Sequence, residues 1–242
     1  YGIDGIAELE AACGAPWLAA EEASLAGRIE TFDHGQLIAA EASTVLATLS
    51  LNQVLLDGDT ENLPSWDEVA GDPTTYEETY DQHGDTLCLM SMNVSEESRG
   101  RRLPQKLVAQ ARSLANELMV PDLIGSFRPS GYGSYVGLAV EVGSAVPSFD
   151  EYINLTNNQG YPIDPWLRSL TKNGMQQLAI DHCAMNIPLT AEEFAQHKQS
   201  NWKKVDIGGQ VAWWCGETGF FYEQNDGSYA YIESNVWGSL NE

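Results

Sequence analysis

Residues 85 to 128 read DTLCLMSMNVSEESRGRRLPQKLVAQARSLANELMVPDLIGSFR, an apolar run, a basic loop, an amphipathic segment and a second apolar run. Asp85 to Val94 predicts a strand. Leu103 to Leu118 predicts a helix, because leucine and alanine recur on one side at helical spacing. Asp122 to Arg128 predicts the next strand, which leads into a turn rich in glycine and proline. Strand, loop, helix and strand form one βαβ unit with an expected right-handed crossover, and this order indicates an α/β fold.

The loop and helix concentrate positive charge in a strongly acidic chain. The 242 residues carry 12 lysines and arginines against 35 acids, a net charge of −23. Arg28 is the one basic residue among the first 98, and five then follow within fourteen positions: Arg99, Arg101, Arg102, Lys106 and Arg112. This pattern favours a local anion site, with a solvated basic helix face as the alternative. The net charge argues against general binding of nucleic acid or of anionic membranes.

The segments before this unit alternate between helix, strand and loop signals. Leu9 to Phe32 predicts two helices broken near Gly14. Gln36 to Ala40 and Ser43 to Val54 predict a hairpin. Asp57 to Asp85 is polar, with one short helix near Trp66, and we interpret it as a surface excursion that acts as a lid.

The segments after it predict three more helices and four strands. Ser148 to Thr156 begins with a capping box, Ser148 and Glu151, and Asp164 to Lys172 has proline in its first turn. A third short helix covers Ala191 to Lys198. The predicted strands are Gln177 to Ile187, Gln210 to Cys215, Phe220 to Glu223 and Tyr229 to Glu233.

The four cysteines lie far apart, without the close pairs that structural zinc or redox motifs need: Cys13, Cys88, Cys183 and Cys215. They indicate reduced thiols in a cytoplasmic protein. His34, His83 and His197 have no metal-like spacing, so we expect no metal. No apolar run approaches the roughly 20 residues of a membrane span. The sequence begins at Tyr1 rather than Met, which favours a module excised from a larger multidomain synthase.

Met92 to Pro104, with the order strand end, Arg-Gly-Arg loop and helix start, resembles the cofactor-binding core of the GNAT acyltransferase superfamily. The resemblance implies one GNAT domain over residues 1–242, with a mixed, strongly twisted central sheet flanked by helices. It also implies that loop amides and the helix N-terminus receive the pyrophosphate of coenzyme A. The residues implied in binding acetyl-CoA or malonyl-CoA are Met92, Val94, Arg99, Gly100, Arg101, Arg102, Leu103 and Lys106. Where the family usually has a second and a third glycine, this chain has Arg102 and Pro104.

Four later segments resemble one longer branch of the superfamily, the GNAT-like domains of polyketide synthase loading modules of the curacin and saxitoxin type. They are Ser126 to Tyr132, Asp164 to Arg168, Asp181 to Met185 and Glu233 to Trp237. The resemblance implies decarboxylation of malonyl-CoA and transfer of the acetyl unit to the phosphopantetheine thiol of an acyl carrier protein. It also implies adjacent synthase domains as partners.

Decarboxylation of a malonyl thioester leaves an enolate, so a site for it needs hydrogen-bond donors at the thioester oxygen and a proton source. By resemblance, His182 is the candidate for one of these roles, on a predicted central strand, and an imidazole titrates near neutral pH. A core histidine is the alternative. The resemblance also implies a hydroxyl partner, which we assign to Thr156. Ser148 and Thr171 stay open, although a helix cap and a helix end explain them better.

Two further residues are candidates for substrate contact. Arg128 ends a strand and is suited to a forked contact with a carboxylate, or else to anchoring the acidic residues 57–85. Trp66, like Trp17, is a candidate wall of an acyl tunnel, with a core role as the alternative.

Two other functions compete with S-acyl transfer. A conventional N-acetyltransferase would gain from an acidic surface that attracts cationic acceptors. A catalytically silent docking domain would explain Arg102 and Pro104 in the cofactor loop. Binding of coenzyme A and the choice of acceptor distinguish the three.

Overall fold

The computed structural model describes residues 2–60 and 62–241, which form two compact units. The first unit comprises the chain through Ser126, Gln176–Ala179 and the C-terminal residues from Trp237. The second comprises Phe127–Met175 and Ile180–Val236. None of the helices within the described ranges has the length and apolar character needed to cross a membrane.

The first unit opens with two helices and a hairpin, as predicted. The elements are α1 (Ile3–Cys13), α2 (Glu22–Thr31), β1 (Gln36–Glu41) and β2 (Thr44–Val54). Strands β1 and β2 pair antiparallel, and Ala42 between them has a positive φ of 52°. The hairpin therefore closes tightly although no glycine occupies the turn.

The predicted βαβ unit completes the sheet of the first unit. It consists of β3 (Thr86–Val94), α4 (Leu103–Leu118) and β4 (Asp122–Phe127). Strand β3 is antiparallel to β2 and parallel to β4, so the sheet is mixed, in the order β1-β2-β3-β4. Helix α4 buries the leucine and alanine side that the sequence pattern predicted, and both α1 and α4 pack on the sheet.

The polar residues 57–85 are held against the rest of the first unit more firmly than a surface excursion would be. They contain the predicted short helix, α3 (Trp66–Ala70). Tyr76 is fully buried, with its hydroxyl 2.7 Å from Oγ of Ser50, and Nδ2 of Asn52 donates to the carbonyl of Val69 at 2.9 Å. Arg28, itself buried, donates to the carbonyl of Thr74 at 2.8 Å. The polar composition concealed this packing.

The second unit combines four helices with antiparallel strands. The helices are α5 (Tyr132–Val142), α6 (Phe149–Ile153), α7 (Pro165–Lys172) and α8 (Ala191–His197). The strands are β5 (Gln176–Leu189), β6 (Lys203–Ile207), β7 (Gln210–Trp214), β8 (Phe220–Glu223) and β9 (Tyr229–Ser239); of these, β5 and β9 have residues in both units. The order β9-β8-β7-β6 is antiparallel throughout, and β5 also pairs with β9.

Two elements of this unit were not predicted from the sequence, α5 and β6. Two glycines weaken the helix signal of α5. A Cβ on Gly133 would lie 2.6 Å from the carbonyl oxygen of Gly216, so close backbone packing explains that glycine. Strand β6 is mostly charged, and its pairing with β7 depends on a hairpin through Gly208 and Gly209, both with positive φ.

Candidate functional site

The loop between β3 and α4 leaves several backbone donors available at the start of a 16-residue helix. The amides of Arg99 and Arg101 donate within the loop, to the carbonyls of Glu96 and Ser98. Across the described residues, the amides of Gly100, Arg102 and Leu103 have no backbone acceptor. Amides at a helix start carry partial positive charge, so this loop is suited to binding an anion.

Exposed cationic side chains surround these amides. Arg99 lies 3.9 Å from Glu96, and Arg101 pairs with Glu41 of β1 at 3.2 Å. Arg102 and Lys106 are exposed and have no ion-pair partner within the part of the chain that the structure describes. An anion bound at the helix start would therefore meet unengaged positive charge.

Two residues of the predicted segment are placed differently from the exposed cations. Leu103 is buried, so its amide is what it offers to a ligand. Arg112, two turns into α4, donates from Nε to the carbonyl of Leu240 at 2.9 Å. Arg112 therefore contributes to packing of the C-terminal residues.

Arg102 occupies the backbone conformation that glycine favours. Its φ of 59° and ψ of 30° are left-handed, and it is the residue just before α4. A side chain in this region costs about 1 kcal/mol or slightly more. The loop thus keeps a glycine-like backbone although the position carries an arginine.

We expect Arg102→Gly to raise the free energy of unfolding by about 1 kcal/mol, because it relieves this conformational cost. Urea unfolding measures the change. Arg99→Gly is the matched control, since Arg99 has a φ of −58° and glycine there should destabilise the protein. Equal effects of the two substitutions would contradict the explanation.

Just before the loop, the last residues of β3 are no longer paired with β4. The paired residues run from Thr86 with Asp122 to Leu89 with Gly125, whereas β3 continues to Val94. The predicted cofactor residues Met92 and Val94 lie in this last part of β3. It lies beyond the pairs with β4, so one edge of it can accept an extended ligand.

A bulge at Met90 marks the point of separation. Ser50 pairs with Ser91 and Leu51 with Leu89, so Met90 is the extra residue. Its carbonyl accepts a hydrogen bond from the indole Nε1 of Trp66 at 2.6 Å, and Trp66 is 8% exposed. The indole therefore stabilises the bulge. The predicted contact of Trp66 with an acyl group stays a prediction.

The hydroxyl of Ser95, the residue after Val94, also lacks a partner in the described part of the chain, as the loop amides lack a backbone acceptor. Its Oγ is buried and has no hydrogen-bond partner within the described residues. A buried hydroxyl without a partner costs free energy unless a ligand or water satisfies it.

The second unit holds the predicted catalytic residues His182 and Thr156. His182 lies on β5 with a side chain 61% exposed, and its Nε2 is 3.8 Å from Oδ1 of Asp150. It is not on the interior strand that the sequence predicted, because β5 is a branch of the sheet that pairs with β9. Thr156 is exposed in an isolated bridge with Pro162, and the structure gives no hydrogen bond between Thr156 and His182.

The two alternative hydroxyls have structural partners. Ser148 forms the predicted capping box with Glu151 at the start of α6. Thr171 donates to the carbonyl of Leu167 at 2.8 Å, one turn back on α7. Both roles match the structural explanations that the sequence suggested.

Arg128 is the centre of a polar network in the second unit. Its Nη2 lies 2.7 Å from Oε2 of Glu217 and its Nε lies 3.0 Å from Oε2 of Glu233. Tyr231 donates to the same oxygen of Glu233 at 2.8 Å. These contacts, rather than the acidic residues 57–85, are the partners of Arg128.

Burial and ion pairing shift the pKa values in this network in opposite directions. The side chain of Glu233 is 1% exposed, and this burial raises its pKa, although Arg128 opposes the shift. Burial alone disfavours the guanidinium charge, but Glu233 and Glu217 raise the pKa of Arg128 above its ordinary value. Glu233 was not among the candidate site residues, although it begins one of the four segments that carry the resemblance; a lone carboxylate in the apolar run from Tyr229 was the available signal.

The four cysteines are free thiols and differ in burial. Cys88 is buried and Cys183 is exposed, while Cys13 and Cys215 are intermediate. Within residues 2–60 and 62–241, no group of three histidines, cysteines or acids is arranged to hold a metal ion.

No family model and no curated protein matches the sequence, but solved structures match the fold. The loading GNATL domain of CurA from Lyngbya majuscula aligns with 74% of this chain and 81% of its own, at 18% identity and a TM-score of 0.59. The GphF GNAT-like decarboxylase in complex with isobutyryl-CoA aligns with 99% of this chain and 95% of its own, at 17% identity and a TM-score of 0.58. The chain has the GNAT fold.

The GNAT fold confirms the fold predicted from Met92 to Pro104 and from the later segments. The two solved structures are also of the kind to which those segments were compared, a loading domain and a GNAT-like decarboxylase. The predicted cofactor residues lie at the end of β3, in the β3–α4 loop and in the first turn of α4, all within the first unit.

Proposed function

We propose that this protein is an acyl-CoA-dependent acyltransferase that decarboxylates malonyl-CoA and passes the acetyl unit to the phosphopantetheine thiol of an acyl carrier protein in the cytoplasm. The observation that carries the proposal is the β3–α4 loop. It combines three available amides, unpaired Arg102 and Lys106, and the orphaned hydroxyl of Ser95 in a chain of net charge −23. Coenzyme A is an anion with an extended amide-bearing arm, and these groups fit it.

The loop residues would hold the pyrophosphate of coenzyme A. The amides of Gly100, Arg102 and Leu103 would donate to its oxygens, and Arg99, Arg101, Arg102 and Lys106 would supply charge. The last residues of β3, including Met92 and Val94, would accept the amides of the pantetheine arm as an added strand. Because Pro104 lacks an N–H, the arginines carry more of the binding than they would beside a second glycine.

Bound malonyl-CoA would supply the thioester, and the protein would supply hydrogen bonds and charge for the reaction. We assign His182, with Thr156, to stabilising negative charge on the thioester oxygen or to proton delivery. Arg128 is the proposed contact for a substrate carboxylate. Its Nε and one N–H of Nη2 are already engaged, so Nη1 and the second N–H of Nη2 are the donors that would make this contact.

We expect His182→Ala to slow decarboxylation of malonyl-CoA by about 100-fold, because a positioned acid or hydrogen-bond donor contributes at least this much. Release of CO2 measures the rate, and calorimetry should show unchanged binding of coenzyme A. His34→Ala is the matched control, since His34 is 74% exposed and 3.8 Å from Asp33. Full activity of the His182 variant would remove that residue from the mechanism.

Intact-mass spectrometry of an acyl carrier protein tests the proposal as a whole. The carrier protein is incubated with this protein and malonyl-CoA, with acetyl-CoA in a parallel sample. Acetylated carrier protein from malonyl-CoA supports decarboxylation and transfer together. Transfer from acetyl-CoA alone leaves a transferase without decarboxylation, and no product from either overturns the proposal in favour of an amine acceptor or a silent domain.

A further inference from the structure

A small cavity with polar walls lies inside the first unit, between the N-terminal helices and the sheet. Its volume is about 30 Å³, and its lining includes Ile6, Glu10, Leu25, Gln36, Ser50 and Ser91. One water needs roughly 10–15 Å³ on this measure, so the cavity has room for about two waters or for a group of two to three heavy atoms.

The ionisable group in this cavity is the carboxylate of Glu10 on α1. Asn93 donates from Nδ2 to its Oε2, and the amide of Ala20 lies 3.5 Å from its Oε1. Burial raises the pKa of Glu10, while the nearby charge of Arg28 acts against the shift. A partly desolvated carboxyl held by the side-chain amide of Asn93 and the backbone amide of Ala20 is suited to exchange a proton.

The opposite wall is polar and fixed in place. Oγ of Ser50 donates to Oε1 of Gln36 at 2.6 Å and lies 2.7 Å from the hydroxyl of Tyr76. Nε2 of Gln36 in turn donates to the carbonyls of Phe32 and Leu51. Hydrogen bonds therefore hold this wall in one arrangement before any ligand enters.

Strand β3 connects this cavity to the proposed cofactor site. Ser91 lines the cavity and Asn93 holds Glu10, and residues two apart in a strand share a face. Both lie in the part of β3 beyond its pairs with β4, beside Met92 and Val94. The face of β3 that carries Ser91 and Asn93 therefore borders the cavity and belongs to the segment proposed to bind the thioester.

We propose that this cavity receives the carbonyl group and α-carbon of the thioester, three heavy atoms, and that Glu10 is the residue that exchanges a proton with the α-carbon. Stabilising negative charge on the thioester oxygen is then the role left to His182. The inference rests on the proposed function. In decarboxylation, the C–C bond to the malonyl carboxylate breaks and CO2 leaves, with the electron pair kept as an enolate. The carboxyl of Glu10 gives its proton to the α-carbon, forming the acetyl thioester, and the resulting carboxylate regains a proton from water.

The test compares Glu10→Gln with Glu8→Gln. Glutamine has the shape of Glu10 and can still accept the hydrogen bond from Asn93, but it has no carboxyl proton. Glu8 is the control because it is exposed on the same helix. We expect Glu10→Gln to lower kcat for malonyl-CoA by about 100-fold, with the dissociation constant of coenzyme A and the urea unfolding midpoint unchanged. Glu8→Gln should match the wild type, and Glu10→Asp should recover part of the rate.

A pH profile adds a readout that a structural role would not move. Arg28 acts electrostatically on Glu10, and Glu10 acts in turn on Cys13 and Tyr76. If Glu10 supplies the proton, the wild-type rate should fall as the pH rises and its carboxyl loses that proton. This fall in rate with rising pH should be absent in the Glu10→Gln variant. An unchanged rate and profile in Glu10→Gln would overturn the inference while the proposed function stands. A wild-type protein that binds coenzyme A but turns over neither malonyl-CoA nor acetyl-CoA would overturn both the inference and the proposed reaction.

Discussion

Arg128→Met is expected to lower the free energy of unfolding by about 3 kcal/mol at neutral pH, because it leaves the carboxylate of Glu233 buried without its cation. The side chain of Glu233 is 1% exposed, and Tyr231 would remain as its hydrogen-bond donor. Urea unfolding followed by circular dichroism measures the loss.

The pH dependence of this loss identifies its cause. The pKa of Glu233 is raised in the folded protein even with Arg128 present, so the folded state binds a proton more readily than the unfolded state. Removing Arg128 raises that pKa further. The carboxyl is protonated at low pH and the cost disappears, so the destabilisation should shrink from pH 7 toward pH 5 and below.

Two companion variants make this prediction specific. Glu217→Gln removes the charge of the other partner of Arg128. The side chain of Glu217 is 31% exposed, so this variant should lower the free energy of unfolding by at most about 1 kcal/mol. The double variant Arg128→Met with Glu233→Gln should recover much of the loss, since neither charge is then left unpaired. A double variant as unstable as Arg128→Met alone would show that the packing of the arginine, rather than its charge, stabilises the unit.

The second large effect concerns the proposed cofactor loop. Replacing both Arg99 and Arg102 with glutamine should raise the dissociation constant of coenzyme A about 100-fold, since each charge-assisted hydrogen bond is worth about 1.4 kcal/mol or more. Calorimetric titration with coenzyme A measures the change. The wild-type affinity should also weaken with added salt, and the double variant should show less of this dependence.

Arg112→Gln is the control for this effect. Arg112 lies on α4, the helix that follows the loop, but its Nε donates to the carbonyl of Leu240, so its loss should leave the affinity nearly unchanged. Equal weakening by Arg112→Gln would show that coenzyme A responds to the total charge of the helix rather than to the loop.

Local patterns in the sequence predicted most elements of the first unit. Helix α4 begins and ends at Leu103 and Leu118, as its apolar spacing predicted, and the parallel pairing of β3 with β4 follows from the strand–helix–strand order. These signals are local, since apolar periodicity and turn residues act within one or two turns of chain. The α/β fold predicted from the strand–helix–strand order was confirmed because that order depends on the same local signals.

Other features depended on contacts between residues far apart in the sequence. Helix α5 tolerates Gly133 because the backbone near Gly216 packs against it, and the positively charged β6 is a strand because β7 pairs with it. Neither cause is visible in a window of neighbouring residues.

The candidate sites divide in the same way. The sequence alone determined the basic loop and its helix, because charge spacing and periodicity are properties of consecutive residues. Only the tertiary structure decided which groups are buried together: Glu233 with Arg128, and Glu10 with Asn93, 83 positions apart. Burial and the electrostatic field at a carboxylate depend on neighbours brought close by folding, and these set its pKa and chemistry.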